Sequence, residues 1–464
     1  MIQGFKMQKT TLSLQYFTDH FDQFFSQYQE FLRIPSVSTD PEHKADMQRA
    51  CDFLVNRLKS LGAERIEVFP TPVHPILYAE KHSLKPGTPT LLIYGHYDVQ
   101  PVAPLDEWQS PPFEPTLTGD YLTARGASDM KGQVMAALSA IDSVLQAGEL
   151  PLNLKFLFEG EEEIGSPSLD PFIESHRDLL ACDMVLNPDA GMVGPDAPTI
   201  VYGLRGLLYF EVRVDGPQAD LHSGLFGGVV ANPAIVLAEL VASLHNPDGS
   251  VAVPGFYDQV LPLTPEEKAR IAAIPTSEAE LLAITGAPAL FGEAGYTPLE
   301  RIGARPTLDV NGLYSGFIGE GSKTIIPAYA KAKISCRLVP NQDPDQVYAA
   351  IQRHIESKVP PTVRLTMIKH SGAPAYLADD APGLQNLAAA LSETWGQPVK
   401  YKREGGSIPV ATTMQTYLGV KSLLTGFGLP DDHIHSPNEH QHIPTWKKGV
   451  QALIRFITSF EDER

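Results

Sequence analysis

The chain has 464 residues and a formal net charge of −19, with 36 lysines and arginines against 55 aspartates and glutamates. That length suffices for two or more domains with a sizeable core. The acidic balance argues against a nucleic acid or an anionic membrane surface as the partner. The first ten residues lack the apolar segment of a signal peptide, and no apolar run is long enough to cross a bilayer. The three cysteines lie far apart and match no metal or redox spacing, so we expect a cytoplasmic protein.

The first part of the chain alternates helical and strand patterns. Aromatic residues at helical spacing over 17–32 predict a helix whose stripe is core. A second amphipathic helix is predicted over 50–61, and strands follow near 66–69 and 76–80. The continuous apolar run 91–94 predicts a strand that is buried on both faces.

Side chains able to bind a metal follow several of these predicted strands. His96 and Asp98 come directly after the apolar run, and in extended chain their side chains leave on the same side. A carboxylate beside an imidazole is a common way to hold a metal-binding histidine. Further carboxylates and histidines end later segments, at Asp129, Asp189 and His435, and in the acidic run 159–163.

Each segment alone has an ordinary explanation, a surface turn or a solvated acidic run. Their recurrence favours a shared site, because ligands in open α/β sheets gather at the carboxyl ends of strands. A set of imidazoles and carboxylates without paired cysteines suits Zn²⁺, Mn²⁺ or Co²⁺.

Ten short motifs occur in one order between Tyr94 and Glu439: YGHYDVQP, ARGASDMKG, FEGEEEIGS, LNPDAG, YGLRG, DLHSGLFGG, GEGSKTIIP, RLVPNQ, REGGSIPV and HIHSPNE. With these motifs the chain resembles the di-zinc aminoacylase/carboxypeptidase superfamily of metallopeptidases. In particular, it resembles the carnosinase-type branch, which contains the cytosolic nonspecific dipeptidases. The resemblance covers nearly the whole chain.

The resemblance implies two divalent metal ions, zinc before manganese or cobalt. Each ion would have its own pair of ligands and the two would share a bridging carboxylate: His96 and Asp189 for one ion, Glu163 and His435 for the other, and Asp129 for both.

The resemblance also implies that Asp98 orients His96 and that Glu162 is the general base for a metal-bridged water. Because three glutamates are consecutive, the register of the motif matters. Counting back from Gly165 makes Glu162 the base and Glu163 the ligand, whereas counting from the front of the motif shifts both roles by one. We adopt the glycine anchor, because that turn fixes how the loop leaves its strand.

A different pattern of elements begins after residue 205. Strand, helix, strand, strand, helix and strand patterns follow in turn, at 208–214, 233–244, 307–314, 329–338, 344–357 and 362–370. This order is ferredoxin-like. An irregular segment rich in proline, glycine and alanine interrupts it over 246–306, as expected for the enlarged lid of the carnosinase-type branch.

We therefore predict an α/β fold with two domains. A zinc-peptidase-like catalytic domain, a mixed sheet flanked by helices, would consist of residues 1–205 and 381–464. A ferredoxin-like α+β lid and dimerisation domain, residues 206–380, would be inserted into it.

The substrate-facing residues lie mostly in the predicted lid. A lone loop histidine such as His222 is more often an incidental surface residue. The resemblance implies instead that it reaches the active site of the partner subunit and steadies the oxyanion, and hence a homodimer through the lid. Arg337 is an edge-strand charge or, by resemblance, the group that binds the carboxylate of the substrate. Hydrogen bonds to that end of the substrate would come from Thr324, Gly406 and Ser407.

The predicted function is hydrolysis of the peptide bond in dipeptides. The alternative within the superfamily is an N-acyl-amino-acid deacylase or desuccinylase, which would share the metal site. A noncatalytic relative that has kept the fold is the alternative from another class, and it predicts the loss of a ligand or of the base.

Overall fold

A computed structural model describes residues 2–462, and the chain divides into two compact units. The first unit comprises Met1–Tyr202, Ala378–Lys402 and Pro409–Arg464, and the second comprises Gly203–Leu377 and Arg403–Ile408. The segment containing Gly406 and Ser407 therefore belongs to the second unit, inside a range that the sequence assigns to the catalytic domain. Within residues 2–462, no helix is both long and apolar enough to span a bilayer.

The helices are, in chain order, α1 (Ile2–Asp19), α2 (Phe21–Leu32), α3 (Lys44–Ser60), α4 (Lys131–Gln146), α5 (Leu169–Ser175), α6 (Arg177–Leu180), α7 (Ser223–Phe226), α8 (Pro233–Ala242), α9 (Pro265–Ala272), α10 (Glu278–Thr285), α11 (Pro298–Ala304), α12 (Pro344–Glu356), α13 (Leu384–Trp395), α14 (Pro409–Leu418) and α15 (Ile443–Thr458).

The strands are, in chain order, β1 (Arg65–Phe69), β2 (Ile76–Lys81), β3 (Thr90–His96), β4 (Thr116–Thr118), β5 (Tyr121–Thr123), β6 (Asn153–Glu159), β7 (Met184–Asn187), β8 (Thr199–Leu204), β9 (Gly206–Asp215), β10 (Leu221–His222), β11 (Thr307–Ser315), β12 (Ile325–Ile326), β13 (Tyr329–Leu338), β14 (Arg364–Ala373), β15 (Tyr376–Leu377), β16 (Lys400–Glu404), β17 (Ser422–Thr425) and β18 (His440–His442).

The first unit is built on a mixed sheet in which β1, β2, β6, β3, β7, β17 and β8 lie side by side in that order. The central strands β6, β3, β7 and β17 run parallel, whereas the outer strands run antiparallel to their neighbours. The predicted burial of residues 91–94 is confirmed, since all four side chains, which point to both faces of the sheet, are buried. The predicted α/β class, a mixed sheet flanked by helices, is also confirmed.

The aromatic stripe over 17–32 is split between two helices. The sequence predicts one helix, but α1 ends at Asp19 and α2 begins at Phe21. The stripe is nevertheless core, as predicted: Tyr28 is fully buried and its ring stacks on Trp446 of α15, with ring centroids 5.3 Å apart. The indole N–H of Trp446 in turn donates to the carbonyl of Gly132 at the start of α4 (2.7 Å).

The second unit contains a four-stranded antiparallel sheet in the order β11-β13-β9-β14. With α8 after β9 and α12 after β13, this is the ferredoxin-like order that the sequence predicts. In β9, the residues of one face are buried and those of the other are half-buried. The apolar face of the sheet packs against α8 and α12 to form the core of the unit.

The insertion over 246–306 is more regular than its composition predicts. It contains α9, α10 and α11, helices of 8, 8 and 7 residues. Each begins with a capping box, in which a threonine or serine hydroxyl accepts from a backbone N–H and a glutamate three residues later reaches back. Helices this short are not stable alone, so the caps and their packing against the unit both contribute to their formation.

Candidate metal centre

Three neighbouring parallel strands, β6, β3 and β7, end at the same edge of the first unit's sheet. His96 is the last residue of β3. A 3₁₀ turn, Glu162–Ile164, follows β6, and Asp189 follows β7 by two residues. The strand ends thus bring together side chains that are far apart in the chain, as the rule for parallel sheets predicts.

Asp129, in the turn before α4, lies between two histidines. Its Oδ1 atom is 3.1 Å from Nε2 of His96, and its Oδ2 atom is 2.9 Å from Nε2 of His435. Two sets of three side chains share this carboxylate, and within each set the ligand atoms all lie within 4.8 Å of one another. One set is His96, Asp129 and Asp189, and the other is Asp129, Glu163 and His435. All five side chains that the sequence assigns to metal binding are therefore close together.

His96 is held in place by Asp98. Both side chains are fully buried, and Nδ1 of His96 lies 3.1 Å from the carbonyl oxygen and 3.4 Å from the carboxylate of Asp98. The Asp98 carboxylate also accepts the backbone N–H groups of Glu162 (3.3 Å) and Glu163 (3.0 Å). Asp98 therefore contacts the imidazole and also fixes the loop that carries the glutamates. The sequence predicts only the first of these two contacts.

The electrostatics of the centre favour a bound cation. Burial, together with the charge of Asp129, raises the pKa of Asp189 to about 7 and that of Glu163 to about 8. Burial alone would lower the pKa of His96, but its hydrogen bonds to Asp129 and Asp98 raise it well above the usual value. The hydrogen bond to Asp129 raises the pKa of His435 to about 9. The carboxylates thus need positive charge beside them, and their oxygens with imidazole nitrogens form a donor set suited to divalent zinc, manganese or cobalt.

The three consecutive glutamates have three different environments. Glu161 is buried, and its carboxylate accepts from the hydroxyl of Thr71 (2.7 Å), the N–H of His74 (2.9 Å) and the N–H and hydroxyl of Ser168 (both 3.0 Å). Glu163 belongs to one of the ligand sets. Glu162 belongs to neither set, and burial raises its pKa. The position of Glu163 in a ligand set agrees with the glycine-anchored register, and the roles of both glutamates stay predictions.

Glu439 is a part of the centre to which the sequence prediction gives no role. Its buried carboxylate accepts from the backbone N–H groups of Gly126 (2.8 Å), Ser128 (2.9 Å) and Asp129 (3.0 Å), and from the guanidinium of Arg125 (2.8 Å). It therefore fixes the turn that carries Asp129. Both ends of this network lie inside the motifs ARGASDMKG and HIHSPNE, and these motifs are the signal of it in the sequence.

Gln100 is a second residue without a predicted role. It lies in the motif YGHYDVQP, and its side-chain amide donates to Oε2 of Glu163 (2.7 Å).

We expect Glu439→Gln to lower both stability and metal affinity. The Arg125 side chain, 1% exposed, would lose its charged partner, and breaking a buried pair costs about 3–5 kcal/mol. Disturbing the support of a ligand weakens metal binding by about 10- to 100-fold. Chemical denaturation and a chelator titration measure the two effects. Glu174→Gln, in the exposed pair with Arg177, is the control and should change the unfolding free energy by under about 0.5 kcal/mol. Equal stability of the two variants would contradict the expectation.

Four of the five predicted substrate-binding residues form two pairs in the second unit. On β13, Nη1 of Arg337 donates to the hydroxyl of Ser407 (3.1 Å), and Gly406 precedes that serine. On β10, His222 is exposed, and the next residue donates its N–H to the carbonyl of Thr324 (3.1 Å). Within the described part of the chain, no hydrogen bond joins the two pairs.

Known metallopeptidases resemble this chain over most of its length. Residues 92–459 match the sequence profile of peptidase family M20/M25/M40. The chain belongs to this peptidase family. It is 33% identical over 462 residues to the Cys-Gly metallodipeptidase DUG1 of Saccharomyces cerevisiae, covering 95% of this chain and 96% of that one. It is 33% identical over 466 residues to the human Beta-Ala-His dipeptidase, covering 96% and 91%.

Solved structures of M20 family members share the fold. The di-peptidase Dug1p of Saccharomyces cerevisiae has a TM-score of 0.79 at 30% identity, with 98% of this chain and 99% of that chain covered. The M20 family metallo-carboxypeptidase Sso-CP2 of Sulfolobus solfataricus has a TM-score of 0.82 at 33% identity, with 94% and 99% covered. These matches confirm the predicted resemblance to the carnosinase-type branch. All five candidate ligands of this M20-family chain lie within the matched residues 92–459.

Proposed function

We propose that this M20-family chain is a metal-dependent dipeptidase that hydrolyses the peptide bond of dipeptides with two divalent ions, most often zinc. The relatives named as dipeptidases support this, because they align over more than nine-tenths of both chains. The observation that carries the proposal is the position of Asp129, one carboxylate oxygen of which faces His96 while the other faces His435. Two groups of donors joined by one carboxylate suit a pair of ions better than a single ion.

The proposed ligands are His96 and Asp189 for one ion, Glu163 and His435 for the other, and Asp129 for both. Bound divalent ions would polarise the carbonyl of the scissile amide and lower the pKa of a bound water to about 7. Asp98 and Glu439 keep the ligand loops in place through the hydrogen bonds described above. These two residues need not touch the substrate.

Glu162 is the proposed general base and acid. Its carboxylate is outside both ligand sets, and Asp98 fixes its backbone N–H, so the side chain is held near the ligands yet free of them. Burial raises its pKa toward the operating range of a proton carrier. It takes a proton from the attacking water as the C–O bond forms, and delivers that proton to the amine as the C–N bond breaks. The products are two amino acids, and Glu162 returns to its starting state.

The remaining substrate contacts are assigned to the second unit. Arg337 binds the free carboxylate of the substrate, with hydrogen bonds from Ser407, Gly406 and Thr324, because a planar guanidinium matches a carboxylate. His222 of the partner subunit stabilises the oxyanion that develops on the attacked carbonyl.

We further propose a homodimer located in the cytoplasm. Leu225 and Val229, close to His222 in the chain, are 72% and 80% exposed, which is unusual for neighbouring large apolar side chains. A second copy of the chain covering this loop would bury them and would place His222 in the other copy's site. The cysteines Cys51, Cys182 and Cys336 are unpaired, which suits a reducing compartment.

The proposed reaction is tested with the purified chain loaded with zinc, manganese or cobalt in turn. Each form is assayed on dipeptides of varied side chains and, in parallel, on N-acetyl and N-succinyl amino acids. Preferential hydrolysis of dipeptides supports the proposal. Preferential hydrolysis of the acyl amino acids would favour the deacylase alternative, and bound metal without hydrolysis of either class would favour a noncatalytic relative.

We expect His222→Ala to lower kcat by about 10²- to 10³-fold with metal content unchanged, because an oxyanion donor is lost and no ligand is touched. An equal mixture of this variant with Asp129→Ala, allowed to exchange subunits, should regain about a quarter of wild-type activity, since half of the dimers would hold one complete site. Either variant mixed with itself is the control. A mixture no more active than its components would argue against a site shared between subunits.

A further inference from the structure

Arg205, which precedes β9 in the second unit, forms hydrogen bonds with three consecutive residues, Gly405, Gly406 and Ser407. Its Nε–H donates to the carbonyl of Gly405 (3.0 Å), and its backbone N–H donates to the carbonyl of Gly406 (3.2 Å). Its own carbonyl accepts from the hydroxyl of Ser407 (2.5 Å). A single residue thereby fixes both the main chain of this glycine-rich segment and the side chain at its end.

The Ser407 hydroxyl connects Arg205 to Arg337. A hydroxyl has one proton to donate, and here that proton goes to the carbonyl of Arg205. The lone pairs of the oxygen are then free to accept, and Nη1 of Arg337 donates to them at 3.1 Å. The direction of the hydroxyl, and with it the placement of the Arg337 guanidinium, depends on where Arg205 holds its carbonyl.

Among the described residues, no carboxylate forms an ion pair with Arg205 or Arg337. Burial and, to a smaller extent, the charge of Arg337 lower the pKa of Arg205 to about 10, while Asp309 and Glu404 act in the opposite direction. Two neighbouring guanidinium groups with unpaired charge form a place where a carboxylate is stabilised.

The packing leaves the Arg205 side chain little freedom. A Cβ atom at Gly405 would lie 3.1 Å from Nη2 of Arg205 and 3.0 Å from Cγ2 of Ile302 in α11. A side chain at this position would force these neighbours to shift by a few tenths of an ångström, so glycine suits the close approach of the segment. The insertion helix α11 thus packs against the same segment that Arg205 fixes, and it helps to hold that segment in place.

We propose that Arg205 is a positioning residue of the carboxylate-binding subsite. It holds Gly405, Gly406 and Ser407 so that the Ser407 hydroxyl orients Arg337, and the Arg337 guanidinium then presents fixed donors to the substrate's carboxylate. The inference rests on the proposed function, in which Arg337 binds that carboxylate. It adds a residue whose effect on the substrate is transmitted through Ser407 and Arg337.

The test compares a dipeptide with its C-terminal amide, which lacks the negative charge. For Arg205→Met, we expect kcat/KM on the dipeptide to fall at least about tenfold, mainly through KM, because a charge-assisted positioning bond is lost. On the amide, we expect a change of under about twofold, since the metal centre is intact. Equal losses on the two substrates, with a lowered melting temperature, would show a general structural defect and overturn the inference.

Two further variants separate positioning from charge. Arg205→Lys keeps the charge but not the planar Nε–H, so it should restore less than about half of the lost affinity, and full restoration would overturn the positioning role. In a Ser407→Ala background, Arg205→Met should lower kcat/KM on the dipeptide by a further factor of under about two, because the effect of Arg205 passes through the Ser407 hydroxyl. A full additive loss would contradict this route. Arg364→Met, an exposed arginine on the same sheet, is the matched control and should leave both substrates unaffected.

A binding measurement keeps this inference separate from the proposed reaction. Calorimetry with N-acetylglycine and its amide, carried out in a Glu162→Gln background that lacks the proposed base, reports carboxylate recognition without turnover. Binding of the acid should weaken at least about tenfold in both Arg337→Met and Arg205→Met. A wild-type chain that hydrolyses no dipeptide would count against the proposed function alone, whereas loss of acid binding in Arg337→Met but not in Arg205→Met would overturn the inference.

Discussion

Glu162→Gln is expected to lower kcat on a dipeptide by about 10²- to 10⁴-fold while the bound metal is retained. The amide has the shape of the carboxylate but cannot accept a proton from the attacking water. The ligand sets contain Glu163 and not Glu162, so the substitution removes no ligand. Turnover under saturating substrate and metal analysis of the same preparation measure the two quantities.

Glu161→Gln is the matched control, because it makes the same change one residue earlier. The Glu161 carboxylate is engaged by Thr71, His74 and Ser168, so we expect this variant to lose stability before it loses turnover per folded molecule. The opposite result, loss of bound metal in Glu162→Gln and loss of kcat with the metal retained in a stable Glu161→Gln, would show that counting from the front of the motif is correct.

The sequence predicts the convergence of the site well because one simple rule applies to it. His96 ends one strand of a parallel set, the glutamates and Asp189 follow two others, and such strands end at one edge of a sheet. The buried apolar run before His96 is what makes its strand recognisable. The shared position of Asp129 could not be obtained this way, since it precedes a helix; only the resemblance to a family placed it between the two histidines.

The rest of the site depends on contacts that leave no local pattern. Glu439 accepts from the N–H of Asp129 across 310 residues of chain, and Glu161 accepts from Thr71 across 90. A buried carboxylate that satisfies distant donors has no periodicity, so neither role can be read from spacing. The helices of the insertion are a different case, because the capping box from Thr264 to Glu267 is visible in the sequence but composition alone hides it.

Asp129→Asn is expected to remove both ions and to lower kcat/KM by at least about 10³-fold. Its two carboxylate oxygens face different histidines, so a neutral amide weakens both ligand sets at once. The turn itself should survive, because Glu439 binds the backbone N–H of this residue and not its side chain. Metal analysis after equilibration with limiting zinc, together with turnover on a dipeptide, measures the effect.

Asp189→Asn is the comparison that makes this result specific to a shared ligand. Asp189 belongs to only one ligand set, and its carboxylate lies 4.0 Å from Nε2 of His96. Its loss should therefore weaken the binding of one ion and leave the binding of the other unchanged. We therefore expect about one ion per chain in Asp189→Asn and close to none in Asp129→Asn at the same zinc concentration. Identical stoichiometry in the two variants would mean that Asp129 serves a single ion, and a mechanism with two ions joined by one carboxylate would have to be abandoned.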